Sequence, residues 1–176
     1  MTVYVALLRG INVGGSGKLP MNELRRICGD CGFGAVQTYI QSGNVVFTTD
    51  EPSPAAVGQK LRSAISSALP IDPATTVRTR DELADVVAAN PFLPGADPAH
   101  LHVAFLDQPA EIPADLDRYR PEEAIAHGRE VYFHLPNGLG RSKLATDLGR
   151  RRDIKSGTMR NWRTTTTLLR MADDTA

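Results

Sequence analysis

The chain reads as a mixed α+β protein, and three observations predict that class. Short β-branched or apolar runs recur, beginning with Val3–Leu8. Between them lie stretches whose apolar residues repeat at helical spacing, such as Met21, Leu24, Ile27, Cys28 and Cys31. Ser42-Gly43 and His127-Gly128 each separate two strand-like runs, which marks hairpins rather than a wholly parallel sheet.

Taken in order, Val3–Leu8 is the first strand. Gly10 to Gly17 carries four glycines and reads as a loop. Pro20 stands where the first turn of a helix tolerates it, and an amphipathic helix is expected over 20–31, stopped by Gly32. Val36–Gln41 and Asn44–Thr48 are short strands about the Ser42-Gly43 turn. Ser53 is an N-cap with Pro54 at the first helical position, and Val57, Leu61, Ala64, Ile65 and Ala68 give that helix one apolar face. A strand near Thr76–Thr79 completes the order β-α-β-β-α-β, the split arrangement of ferredoxin-like domains. A helix over Asp81–Ala89 ends at Asn90-Pro91, and the Pro/Gly-rich stretch Asn90–Pro98 is the candidate linker. Residues 1–90 are therefore expected to form a ferredoxin-like α+β subdomain, and residues 91–176 a second, smaller α+β subdomain. In the latter, His100–Leu106 is a strand and Glu122–His127 with Glu130–Leu135 a hairpin. Two helices end it, over Ser142–Arg150 and Met159–Met171. Both faces of the first strand are apolar, so both faces of its sheet should be covered.

Composition bounds the function. The 176 residues are 41% hydrophobic and 23% charged, which excludes a disordered chain. Twenty basic and twenty acidic residues cancel, which excludes a protein basic over its whole surface. The balance is a sum of opposites. Between Thr49 and Glu123 six basic residues face thirteen acidic ones, and between Leu139 and Arg170 nine basic residues face two Asp. Cys28 and Cys31 do not make a disulfide framework. The N-terminal MTVYVALLRGINVGG has no basic leader or cleavage pattern, and Val3–Leu8 is too short to span a bilayer. A cytoplasmic protein with no membrane partner is expected.

Topology then locates a site. A right-handed crossover makes strands one and two run the same way. The loop Arg9–Lys18 and the turn Gln41-Ser42-Gly43-Asn44 should therefore be neighbours at one end of the sheet. The first helix begins at that end, and its free N–H groups and dipole favour anions. Arg9 and Lys18 add positive charge, while Asn12, Ser16, Gln41, Ser42 and Asn44 add neutral hydrogen-bonding groups. Glu23, in the helix's first turns, is the nearest candidate acid or base. Each piece also has a structural reading: the glycines as backbone angles, Ser42-Gly43-Asn44 as turn chemistry.

Several patterns fall short of a motif. Asn12–Leu19 resembles a P-loop, but Asn12 replaces the first Gly and Leu19 the Mg²⁺-binding hydroxyl. Cys28-x-x-Cys31 closes a helix, whereas redox pairs draw a low pKa from a helix N-terminus. His100-x-His102 lacks the further ligands of a zinc site, so no metal is expected. Tyr4, Phe33, Tyr39 and Phe47 are expected in the core rather than on a base-stacking platform. On the last predicted helix, Met159, Trp162, Thr166 and Leu169 form a stripe, with Arg160 and Asn161 off it.

The segments LLRGINVGG (7–15), KLPMNEL (18–24), TYIQSGNVVF (38–47), GRSKL (140–144) and TMRNWRTTTTLL (158–169) resemble a bacterial family known as domain of unknown function 1697. The resemblance extends over nearly the whole chain. It implies a cytoplasmic α+β protein of two associated subdomains and supplies no substrate or cofactor. The family's shared polar positions carry over as Arg9, Asn12, Lys18, Gln41, Ser42, Asn44, Arg141, Ser142, Lys143, Arg160, Asn161 and Trp162.

The expected function is binding of a phosphate-bearing small molecule or nucleotide, in a cleft that the C-terminal helices complete by folding back on the loop end. Backbone N–H groups of Gly14, Gly15 and their neighbours to Lys18 would take the anion. Arg9, Lys18, Arg141 and Lys143 would neutralise it, and Gln41, Ser42 and Asn44 would orient the rest, with Ser142, Arg160 and Asn161 nearby. No nucleophile–base pair can be named, so any chemistry would be electrostatic stabilisation of phosphoryl or carbonyl oxygens. The alternatives are a nucleic-acid-binding module on the same basic surface, and a protein-interaction domain whose motifs only specify the fold.

Overall fold

Thr2–Leu8 forms β1, which pairs antiparallel with both β3 (Asn44–Thr49) and β4 (Thr75–Thr79) in the computed structural model, where all of residues 1–176 are described. β2 (Gly34–Tyr39) pairs antiparallel with β3, giving the order β2-β3-β1-β4. α1 (Met21–Asp30) joins β1 to β2, and α2 (Pro54–Ala68) joins β3 to β4. The β-α-β-β-α-β order and β1's inner position accord with the expected split arrangement.

The local signals act as read, with two adjustments. Ser53 Oγ accepts from Ala56 N at 3.2 Å, so it caps α2 with Pro54 in the first turn. Gly32, at φ +79°, ends α1 after Cys31. Pro20 is the N-cap of α1 rather than its first residue. The β2–β3 turn is four residues, Ile40–Gly43, rather than two, because Ile40 and Gly43 both adopt left-handed angles.

One face of this sheet packs Tyr4, Ala6, Leu8 and Phe47 against Leu24 and Ile27 of α1 and Leu61 and Ile65 of α2. Phe33 stacks on Phe47 at 4.4 Å between ring centroids, and with Tyr4 both are core as expected, whereas Tyr39 is only half-buried and lies outside that cluster. Val3, Val5 and Leu7 on the other face are buried too. Each such burial stabilises by about 1.5–3 kcal/mol.

The chain divides into two units, Met1–Asp85 with Thr167–Ala176, and Val86–Thr166. This departs from a division at residue 90, because the last ten residues belong with the first unit. Leu168 and Ala172 are buried there, Gln37 Nε2 donates to Thr175 Oγ1 at 3.0 Å, and Arg80 Nε donates to Asp173 Oδ1 at 2.6 Å.

The second sheet has β5 (Leu101–Phe105), β6 (Glu123–His127), β7 (Glu130–His134) and β8 (Thr158–Asn161) in the order β6-β7-β5-β8, all antiparallel. That order repeats the first sheet strand for strand. α4 (Lys143–Gly149) precedes β8 as α2 precedes β4, and α5 (Trp162–Thr175) follows β8 as α3 (Arg80–Ala88) follows β4. In the place of α1 the second unit has irregular chain with one short 3₁₀ turn, Asp117–Tyr119.

The helix expected over Met159–Met171 is corrected at its start. Thr158–Asn161 pair with β5, and Asn161 Oδ1 accepts from Thr164 N at 2.8 Å to cap α5. Met159 is therefore a strand residue and leaves the helical stripe. His100 closes a 3₁₀ turn before β5, so it does not share a strand with His102. No helix is long and apolar enough to cross a membrane.

Candidate functional site

β1 ends with Leu8 N donating to Gly43 O at 2.8 Å and Arg9 N to Ala74 O at 3.0 Å. Beyond it, buried Ile11 and Leu19 anchor the two ends of the loop. Asn12 N donates to Gly17 O and Ser16 N to Val13 O, each at 3.0 Å. Gly14 and Gly15 at the tip are both left-handed, at φ +57° and +79°, as a type I′ turn requires. Gly17 is needed for space as well as angle, since a Cβ there would lie 2.2 Å from the Gly10 carbonyl oxygen.

Asn12 holds this loop to the β2–β3 turn. Its Nδ2 donates to Leu19 O and to Gln41 O, both at 2.8 Å, and its Oδ1 accepts from Leu19 N at 2.9 Å. The expected meeting of the glycine loop with the Gln41–Asn44 turn is thus a hydrogen-bonded junction. Asn44 is fully buried and donates to Tyr39 O at 3.0 Å and Ser42 Oγ at 2.9 Å. Asn12, Ser42 and Asn44 consequently build the scaffold of the loop end.

Arg9, Lys18 and Gln41 remain. All three are exposed, and their side chains make no hydrogen bond or ion pair. The N–H groups of Gly14, Gly15, Gly17 and Lys18 likewise have no protein acceptor. α1 begins without a side-chain cap. The loop end therefore presents two cations, one carboxamide and several amide donors. Glu23 does not act freely here: Arg26 binds its carboxylate through Nε at 3.1 and 3.2 Å and Nη2 at 2.5 Å, which holds it below the usual carboxylate range. It is a committed ion-pair partner rather than an acid or base.

In the second unit, Arg141, Ser142 and Lys143 line an open depression of about 330 Å³ together with Gly140, Thr146, Asp147 and Arg150. Ser142 is consumed locally, since its Oγ accepts from Ala145 N at 2.9 Å to cap α4. Arg150 and Asp147 are additions that reading the sequence missed. Asp147 is fixed by Tyr119, whose hydroxyl donates to Oδ2 at 2.7 Å. That link crosses 28 positions and left no local signal. Arg160 sits on β8, half-buried, and donates through Nη1 to Met159 O at 2.9 Å. Burial pushes its guanidinium down to about 10, still cationic at neutral pH. Asn161 is exposed and caps α5.

The cysteines offer no thiolate, because burial pushes Cys28 up to about 12 and raises Cys31 as well. No group of three or more His, Cys, Asp or Glu is placed to hold a metal ion.

A family model described as "Protein of unknown function (DUF1697)" matches residues 1–132. The matched stretch contains the segments at 7–15, 18–24 and 38–47 and ends before GRSKL and TMRNW, short of the near-complete coverage expected. No curated protein matches. Among solved structures, that of the conserved bacterial protein SP0830 from Streptococcus pneumoniae is similar, with a TM-score of 0.76 at 23% identity. The likeness covers 97% of this chain and 98% of that one, and it shows a shared fold.

Proposed function

We propose that this chain, which belongs to the DUF1697 family of proteins of unknown function, binds a phosphate-bearing small molecule or nucleotide at the loop end of its first sheet. The carrying observation is that the side chains of Arg9, Lys18 and Gln41 stand exposed and unpartnered, while the loop and the adjoining turn are fixed by the Asn12 carboxamide and by backbone groups. Cations without carboxylates, beside backbone donors in left-handed turns, suit an anion.

The internal repeat supports a use for the loop beyond folding. β5 leaves the second sheet as β1 leaves the first, with Leu106 N donating to Arg129 O at 2.8 Å. The chain then continues as Asp107-Gln108-Pro109, with no glycine hairpin. The same strand exit is thus made without the loop, and its four glycines are not a requirement of the architecture. With Glu23 tied to Arg26, the loop end offers electrostatic stabilisation of phosphoryl oxygens and no proton-transfer group.

The test is thermal unfolding with inorganic phosphate, pyrophosphate, sugar phosphates and nucleotides. A true ligand at a hundred times its Kd adds about 2.7 kcal/mol. Arg9→Ala with Lys18→Ala should abolish that response while leaving unliganded stability within about 0.5 kcal/mol. A response that survives both substitutions would refute the assignment.

A second reading is favoured by the basic depression of the second unit. Arg141, Lys143 and Arg150 line it, and Arg152 and Lys155 are exposed further along the same segment. Such a track suits the phosphate backbone of a nucleic acid. Its affinity for labelled duplex DNA would fall steeply with salt, and Arg141→Ala with Lys143→Ala would flatten that slope.

A further inference from the structure

Ile40 has φ +48°, in the left-handed region that β-branched residues avoid. Packing does not explain it, since half of the residue is exposed. Asn or Gly would make the same turn with less strain. Val13 is a second anomaly, 61% exposed at the start of the glycine-loop tip. Their chain neighbours are joined by a hydrogen bond. Val13 follows Asn12 and Ile40 precedes Gln41, and Asn12 Nδ2 donates to Gln41 O at 2.8 Å.

We infer that Val13 and Ile40 are the apolar contacts for the base of a purine nucleotide whose phosphate lies against Arg9 and Lys18. The inference rests on the anion-site reading above and names its ligand class. A small-molecule site needs apolar walls with a few placed polar groups. Two branched aliphatic side chains suit the flat faces of a base, and the Gln41 carboxamide supplies a donor and an acceptor in one plane. That pair matches the adenine N7 and N6 edge. A sugar phosphate would use the cations and leave both aliphatic groups in water.

The experiment is calorimetric titration of the full chain with inorganic phosphate, ribose 5-phosphate, AMP and octyl phosphate. AMP should bind at least about tenfold tighter than ribose 5-phosphate, and tighter than octyl phosphate; tenfold is one lost apolar contact on the affinity scale. Ile40→Asn should reduce AMP to the level of ribose 5-phosphate and leave ribose 5-phosphate unchanged. Because the substitution relieves backbone strain, it should hold or raise Tm, by about 2–4 °C at most. Ile40→Leu, apolar without the β-branch, should restore AMP binding. If phosphate and ribose 5-phosphate bind but AMP binds no tighter, or octyl phosphate equals AMP, the base assignment fails and the anion site stands. If no phosphate compound binds, both fail together. A drop of several degrees in Ile40→Asn, unrepaired by Ile40→Leu, would assign Ile40 a packing role and overturn the inference.

Discussion

Asn12 Nδ2 and the carbonyl oxygen of Gln41 are 2.8 Å apart across 29 positions of sequence, and this bond joins the glycine loop to the β2–β3 turn. The same carboxamide also brackets Leu19 from both sides. Asn tolerates the φ of +55° that the position requires. One side chain thereby sets the loop's angle, its far end and its neighbour.

Asn12→Ala removes all three bonds and leaves backbone groups of Leu19 unpaired next to the core. A loss of about 1–3 kcal/mol is expected, or roughly 2–4 °C in Tm per kcal/mol. Amide exchange at Ser16 and Leu19, whose N–H groups are bonded in the loop, should accelerate, and any response to phosphate should weaken with it. Unchanged exchange in the variant would mean that the bonds do not hold the loop.

The two kinds of glycine in this loop separate by substitution. At Gly14 an added Cβ meets nothing within 4 Å, so Gly14→Ala carries only the left-handed penalty of about 1–2 kcal/mol. At Gly17 the Cβ would collide with the Gly10 carbonyl oxygen as well. Gly17→Ala should therefore cost clearly more in denaturant unfolding, because the hairpin must open to admit it. Equal losses for the two variants would show that the loop adapts freely.

How far this was readable from residues alone follows from where each partner lies. Ser53-Pro54 and Gly32 act on their immediate neighbours, so the bounds of α2 and the stop of α1 were legible. The meeting of the Arg9–Lys18 loop with the Gln41–Asn44 turn was legible through topology. Asn12's part in it was not, because its acceptor is in another loop. Thr158–Asn161 became β8 only because β5 offers it an edge to pair with, and four residues carry too little alternation to announce that. Ile40 at a left-handed angle runs against its own propensity, so no sequence rule would place it there. The return of Thr167–Ala176 to the first unit depends on Gln37, Arg80 and buried Leu168, all settled by tertiary packing.

Ser142 and Asn161 are shared polar positions of the family resemblance, and the structure gives each a capping bond, to Ala145 N and Thr164 N. Ser142→Ala and Asn161→Ala should each cost about 1 kcal/mol of stability, within a range of about 0.5–2. Neither should alter the protein's response to phosphate compounds at the first unit's loop. A thermal-shift series on both variants checks the two statements together. Loss of a ligand response with stability intact would make them binding residues instead.

His102 supplies a pH dependence whose sign follows from its burial. It stands on β5, half-buried, with an Nδ1 sealed from solvent and without a hydrogen-bond partner. Burial lowers its pKa from 6.5, outweighing the smaller upward pull of the His100 backbone. The unfolded chain therefore takes up the proton first as the solution is acidified. The stability tied to neutral His102 is present above the unfolded pKa of about 6.5 and falls as pH drops toward the lower folded value. Tm measured at pH about 7.5 and about 5.5 should decline on acidification, and His102→Leu should decline less, since it removes both the titration and the orphaned nitrogen. The Glu123–His134 pair, at 3.5 Å, is present in both proteins and cancels in the comparison. Parallel declines in the two would assign the acid sensitivity to groups other than His102.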